Sequence, residues 1–78
     1  MAERLPTFSS RDLIRALVKL GFEEAAGGKG SHTKLIFPGR PGTLTIPKNR
    51  AFGKGLRSAL VKQIEQMGVD RQDLLDVL

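Results

Sequence analysis

Hydrophobic residues recur at helical spacing near the start of the chain, with basic residues every four positions on the opposite side. Ser9, with Asp12 three residues later, is typical of a capping box at the start of a helix. Gly21 is a residue type at which helices commonly end. The pattern predicts a first helix between Ser9 and Gly21. Its apolar residues are Leu13, Ile14, Leu17, Val18 and Leu20.

The middle of the chain has strand-like segments bounded by turn residues. Residues 22–26, 32–37 and 43–46 are predicted strands, and the Pro- and Gly-rich residues 38–42 close a hairpin between the last two. In the third strand Leu44 and Ile46 alternate with threonines, which predicts a sheet with one buried face and one face open to solvent.

Helical spacing returns after a basic loop over residues 48–54. Gly68 is the expected end of this second helix, and Asp70 the cap of a short third one. The second helix is expected to bury Leu56, Leu60, Ile64 and Met67. This order of helices and strands predicts a single α+β domain over residues 1–78. The expected architecture has two layers: a three-stranded antiparallel sheet with helices packed on one face, and a short C-terminal helix.

Composition narrows the class of protein. The chain has 78 residues and no cysteine, so neither a disulfide nor a thiolate metal site is expected. A single histidine does not make a zinc site, because zinc needs three or four ligands. No apolar run approaches the ~20 residues that cross a bilayer, and the N-terminal residues lack the apolar segment of a signal peptide. We expect a cytoplasmic protein with no membrane partner, no metal and no small-molecule cofactor.

Charge is unevenly distributed. The net charge is +5 and the pI about 10.3, yet residues 25–64 contain no acid. Solvated surfaces usually alternate in sign, so this acid-free segment predicts a polyanionic partner such as RNA or DNA. The bases of the first helix are more simply explained as its solvated face. The eight bases of the acid-free segment are Lys29, Lys34, Arg40, Lys48, Arg50, Lys54, Arg57 and Lys62.

The only histidine, His32, lies inside this segment after Lys29, Gly30 and Ser31. Histidine transfers protons near neutral pH, Gly30 allows close backbone approach to a ligand, and Ser31 and Lys29 can bind a phosphate. By itself the pattern is more simply explained as an ordinary exposed histidine at a strand start, because a single histidine without a metal or nucleophile motif is weak evidence for a site.

The start of the second helix is a further candidate for anion binding. Lys54, Gly55 and Arg57 lie where free N–H groups and the helix dipole favour negative charge. The preceding Phe52 could stack on a base, but a phenylalanine in such a loop more often fills the edge of the core, and we favour that interpretation.

Four parts of the sequence together resemble the HicA toxins, the RNA-cleaving partners of HicB-type antitoxins. They are Arg-Asp-Leu-Ile-Arg-Ala-Leu-Val-Lys-Leu-Gly-Phe (residues 11–22), Lys-Gly-Ser-His (29–32), Thr-Ile-Pro (45–47) and Leu-Arg-Ser-Ala-Leu with Lys-Gln (56–63). The resemblance covers about residues 7–75. It implies a fold like a double-stranded-RNA-binding domain, catalysis by His32 in an mRNA interferase, and a HicB-like antitoxin that covers the site.

The sequence departs from the family pattern at two places. Family members often carry a second histidine where this chain has Lys48 and Asn49. The last helix of the family usually begins with Gly-Thr-Leu-Arg, whereas this chain reads Gly55-Leu56-Arg57 and lacks the threonine cap. Acid and base roles therefore cannot be divided between two imidazoles.

The predicted function is a metal-independent endoribonuclease toxin that cleaves mRNA, with His32 as general acid or base. The alternatives are a non-catalytic double-stranded-RNA-binding module, an inactive toxin homologue, or a protein-interaction domain without RNA affinity. The predicted RNA-binding residues are Lys29, Gly30, Ser31, Lys34, Lys48, Arg50, Lys54 and Arg57.

Overall fold

A computed structural model describes residues 7–25, 32–48 and 51–78 of the protein. Within these ranges the chain forms three helices and three strands in the predicted order. The elements are α1 (Ser10–Lys19), β1 (Glu23–Glu24), β2 (His32–Ile36), β3 (Leu44–Pro47), α2 (Lys54–Gln66) and α3 (Arg71–Val77). The α+β fold expected from the sequence is therefore confirmed.

The sheet has the order β1-β2-β3, and β2 pairs antiparallel with both neighbours. Along β2, Thr33 and Leu35 are buried whereas His32 and Lys34 are exposed. Successive side chains of a strand point to opposite faces, so one face of the sheet joins the core and the other is open to solvent. The open face is the one that carries His32.

Both ends of α1 have the geometry that the sequence predicts. The hydroxyl of Ser9 accepts a hydrogen bond from the Asp12 N–H, and the Ser9 N–H donates to the Asp12 carboxylate, each at 3.2 Å. At the other end Gly21 adopts φ 109°, and the N–H groups of Gly21 and Phe22 donate to carbonyls of the last turn. This is a Schellman motif, in which glycine avoids the strain that a Cβ would bring.

The core lies between the buried face of the sheet and the helices. Phe8 and Phe52 meet edge to face at its margin, with ring centroids 5.9 Å apart. Because Phe52 is buried, its ring is not placed to stack on a base, which agrees with the favoured interpretation. The buried apolar residues are Phe8, Leu13, Ala16, Leu17, Phe22, Leu35, Leu44, Ile46, Phe52, Leu60, Val61, Ile64 and Leu74.

One expectation about helix faces is wrong. Leu56 is 38% exposed, because α2 begins at Lys54 and its first turn precedes the part that packs on the core; Leu60, Val61 and Ile64 form the buried face instead. Val18 is 51% exposed, since the inner face of α1 is centred on Leu13, Ala16 and Leu17. No helix among the described residues is long and apolar enough to span a membrane.

Candidate active site

His32 is the first residue of β2 and lies directly opposite Pro47, the last residue of β3. Two residues further, Lys34 lies opposite Thr45 on the same open face. Residues two apart on a strand are about 7 Å from each other, so an ammonium group and the imidazole can reach one bound ligand. Both side chains are exposed.

Lys48 directly follows Pro47 and is also exposed. It lies at the same end of the β2–β3 hairpin as His32, but it lines the side of the sheet on which α1 packs. Lys34 and Lys48 therefore approach this end of the hairpin from opposite faces. Lys48 belongs to the two-residue stretch, Lys48 and Asn49, in which the family that the sequence resembles often carries a second histidine.

The N-terminus of α2 carries a cation and no acid. Gly53 is the N-cap residue and has no side chain to cap the first N–H groups, and the first turn contains no Asp or Glu. Lys54, the first helical residue, is exposed. The free N–H groups and the helix dipole suit an anion here, as the sequence predicts. A bridge between Ala51 and Ser9 holds the segment before α2 against the start of α1.

Arg57 differs from Lys54 because its side chain is half-buried and already engaged. Its Nη1 donates to the carbonyl oxygen of Phe52 at 2.7 Å, and its Nε is buried without a hydrogen-bond partner in the described part of the chain. The guanidinium thus fastens α2 to the loop that precedes it. This internal bond restricts how much of Arg57 can turn towards a phosphate.

Arg40 lies at the other end of the hairpin. Its Nη1 donates to the carbonyl oxygen of Met67 at 2.8 Å, and its guanidinium lies 4.8 Å from the centre of the Phe37 ring. Phe37 directly follows β2, whereas His32 begins it. The bases of the acid-free segment therefore do not form one surface, and Arg40 contributes to stability at a distance from His32.

Five of the predicted site residues fall within the described ranges, and the structure brings three of them to one end of the hairpin: His32, Lys34 and Lys48. The sequence interpretation left out Thr33, although strand alternation could have placed it on the face opposite His32. The other predicted site residues, namely Lys29, Gly30, Ser31 and Arg50, lie outside the described residues.

Among the described residues, no three His, Cys, Asp or Glu side chains come together as a metal site would require. One ionisable group near the start of α1 is perturbed. Hydrogen bonds from the backbone and side chain of Ser9, with smaller contributions from Arg15 and Arg11, lower the pKa of Asp12. This carboxylate belongs to the helix cap and not to the face that carries His32.

The comparison with known families covers most of the chain. Residues 10–69 match the family described as the HicA toxin of bacterial toxin–antitoxin systems. No curated protein and no solved structure matches the chain. The matched segment runs from the start of α1 to just beyond α2, so it includes the hairpin, His32 and the α2 N-terminus. The chain belongs to the HicA toxin family, the toxin component of bacterial toxin–antitoxin pairs.

Proposed function

We propose that this toxin is an endoribonuclease that cleaves mRNA, with His32 as the catalytic residue. The position of His32 carries the proposal: the imidazole is exposed at the start of β2, on the open face of the sheet, with Lys34 on the same face. A proton-transfer group beside a cation is the arrangement that phosphate chemistry needs. Membership of the HicA family supports this choice of reaction.

The reaction is transfer of the scissile phosphate to the neighbouring 2′-oxygen. The 2′-hydroxyl loses its proton as its oxygen bonds to phosphorus, the bond from phosphorus to the 5′-oxygen breaks, and the 5′-oxygen receives a proton. The products are a 2′,3′-cyclic phosphate and a 5′-hydroxyl end. His32 acts in one of these proton transfers, a role worth about 10² to 10⁴-fold in rate. The RNA supplies the nucleophile, so the proposal requires no metal or other cofactor.

The exposed bases near His32 hold the strand. In this proposal Lys34 and Lys48, exposed at this end of the hairpin, contact the phosphate backbone, and Lys54 contacts it from the start of α2. Lys34, two residues from His32 on the same face, stabilises charge on the transferring phosphate. Lys29, Gly30, Ser31 and Arg50 belong to the same proposal from the sequence. With about four phosphate contacts to a single strand, log K should fall with log[salt] at a slope of roughly −3.

A toxin of this family has a cognate antitoxin. We assign this role to a HicB-like protein that covers His32 in the cytoplasm. The net charge of +5 favours an acidic partner surface, which would compete with RNA for the same bases. Pre-incubation with antitoxin should therefore block RNA binding as well as cleavage.

The decisive experiment compares the native chain with His32→Ala on a defined RNA, with the product ends identified. The expected result is cleavage to cyclic phosphate and 5′-hydroxyl ends by the native chain, and a loss of about 10² to 10⁴-fold in rate in the variant. A substrate with 2′-deoxy sugars throughout is the control and should stay intact. Full activity of His32→Ala, or cleavage of the deoxy substrate, contradicts the mechanism.

Lys48 in place of the second histidine favours one alternative, a homologue that binds RNA without cutting it. The same assay separates the two functions. Salt-sensitive RNA binding without new ends supports the non-catalytic module, whose affinity would depend on duplex shape and 2′-hydroxyls instead of on His32.

A further inference from the structure

A cleft of about 300 Å³ lies between α1 and the sheet, on the face opposite His32. Ser10, Arg11 and Arg15 line it from α1, Glu24 from β1 and Thr33 from β2, and Lys48 closes it beyond β3. This volume suits a small group of atoms and is at the lower end of the range for small-molecule sites. It is too small for a nucleic-acid duplex.

The lining of the cleft is cationic. Among the described residues that line it, Arg11, Arg15 and Lys48 contribute three positive charges against the one negative charge of Glu24. Arg11 and Arg15 are four residues apart on α1 and therefore neighbours on its surface, where like charges destabilise a helix. An anion in the cleft would remove this repulsion.

Thr33 gives the cleft a polar group without a partner. Thr33 is 5% exposed, and its hydroxyl has no hydrogen-bond partner among the residues that the structure describes. A buried polar atom is nearly always hydrogen-bonded, because leaving it unpaired costs free energy. Valine would fit a buried strand position without this cost, so the hydroxyl at this position points to a ligand that accepts its hydrogen bond.

The cleft opens at the same end of the sheet as the catalytic residue. Thr33 directly follows His32, and Lys48 directly follows Pro47, the residue opposite His32. The cleft and the imidazole thus belong to adjacent residues of β2, on opposite faces of the sheet. We propose that the cleft binds a phosphate group of the RNA backbone, held by Arg11, Arg15 and Lys48 and by the Thr33 hydroxyl. The assignment to RNA rests on the proposed function, whereas the affinity for phosphate does not.

Inorganic phosphate tests the site without any cleavage. Titrated into the full-length His32→Ala chain and followed by NMR, it should shift the amide signals of Ser10 and Thr33 saturably. Arg15→Gln should weaken this binding by about tenfold, as expected for the loss of a hydrogen bond to a charged group. Lys19→Gln is the matched control, because Lys19 is an exposed base one turn further along α1 and does not line the cleft. The absence of a saturable shift, or equal weakening by both variants, overturns the proposal.

Thr33→Val separates ligand binding from a structural role. Valine keeps the shape of the side chain but removes the unpaired hydroxyl, so the variant should melt at the same or a higher temperature while binding phosphate about tenfold more weakly. Native affinity in this variant shows that Thr33 does not bind the ligand and overturns its assignment. A decrease in both the melting temperature and the affinity identifies a structural role for Thr33 and also overturns its assignment to ligand binding.

RNA binding to the His32→Ala chain identifies the source of the phosphate. Arg15→Gln should reduce the steepness of the plot of log K against log[salt] by about 0.7, the value for one contact to a single strand, whereas Lys19→Gln leaves it unchanged. If phosphate binds in the cleft but this slope does not change, the assignment to the RNA backbone is wrong. If the cleft binds phosphate while the native chain cuts no RNA, the phosphate site stands and only the proposed function fails.

Discussion

His32 and Pro47 form the last pair of the β2–β3 ladder. Proline has no N–H to donate, so it is suited to the end of a strand and not to its continuation. The pairing therefore ends at the residue that carries the imidazole. His32 stands at the end of the paired strands, where a ligand can reach it from the open face of the sheet.

Lys34 should contribute more to RNA binding and cleavage than an equally exposed lysine elsewhere. Lys34→Gln is expected to reduce the steepness of the plot of log K against log[salt] by about 0.7 and to slow cleavage at limiting RNA, because its ammonium shares the open face with His32. Filter binding at several salt concentrations and initial cleavage rates measure both effects.

Lys62→Gln is the control for this prediction. Lys62 is exposed on α2 and carries the same charge, but it is not on the sheet. If both variants lower binding and cleavage equally, the toxin responds to overall charge, and the position of Lys34 next to His32 is unimportant.

Lys54 and Arg57, both predicted to bind RNA, should have different roles. Lys54→Gln is expected to reduce the salt dependence of RNA binding without changing stability, because its side chain is exposed at an uncapped helix start. Arg57→Gln should lower the free energy of unfolding by about 1–3 kcal/mol, since it removes the bond to the Phe52 carbonyl.

Urea denaturation and salt-dependent RNA binding of the same two variants check this division. A large loss of stability in Lys54→Gln would mean that the α2 N-terminus depends on that charge. Unchanged stability in Arg57→Gln would show that the bond to Phe52 is dispensable.

The features of the fold that are local in sequence could be predicted. The Ser9–Asp12 cap and the turn at Gly21 each depend on a few consecutive residues. Alternation along β2 and β3 likewise defines the open face. The predicted burial of Leu56 was wrong because its exposure depends on how far α2 extends beyond the core. Helical spacing gives no information about that distance.

The site could be predicted only in part, because some of its contacts depend on tertiary packing and not on local sequence patterns. The position of His32 at the start of β2 follows from the local pattern, but the bonds of Arg57 and Arg40 join residues brought together by tertiary packing. Arg40 and Met67, for example, are 27 residues apart. The cleft beside Thr33 depends on the distance between α1 and the sheet, about which neither periodicity nor charge gives information.

Gly68 should be among the positions least tolerant of substitution. Its φ is 95°, and an added Cβ would collide with the guanidinium of Arg40, which would have to leave the Met67 carbonyl. Gly68→Ala should therefore cost about 1–2 kcal/mol of stability, mainly from backbone strain at this φ, because the exposed guanidinium can move aside. Denaturant unfolding gives the value.

Gly55→Ala is the matched control. Gly55 lies in the first turn of α2, and a Cβ there meets nothing within 4 Å. Alanine is the better helix former, so this variant should gain about 0.5–1 kcal/mol. A similar effect of both substitutions would contradict the roles assigned to φ and to Arg40.

The capping box of α1 should make stability depend on pH in the acid range. Its hydrogen bonds lower the pKa of Asp12 below the ordinary value of 3.8, so the folded state favours the carboxylate. This contribution is fully present well above pH 3.8 and is lost as the pH falls below that value through the folded-state pKa. At neutral pH, Ser9→Ala should cost about 0.5–2 kcal/mol.

Asp12→Asn should reduce the difference in stability between pH 7 and pH 3, measured by urea denaturation at each value. Asp73→Asn removes the same charge from the first turn of α3 and leaves the Ser9–Asp12 pair intact, so it should retain the contribution of that pair. Because α1 carries Arg11 and Arg15 into the cleft, Ser9→Ala should also weaken phosphate binding as the first turn frays. If Asp12→Asn keeps the full native difference between pH 7 and pH 3, the cap does not account for the acid sensitivity.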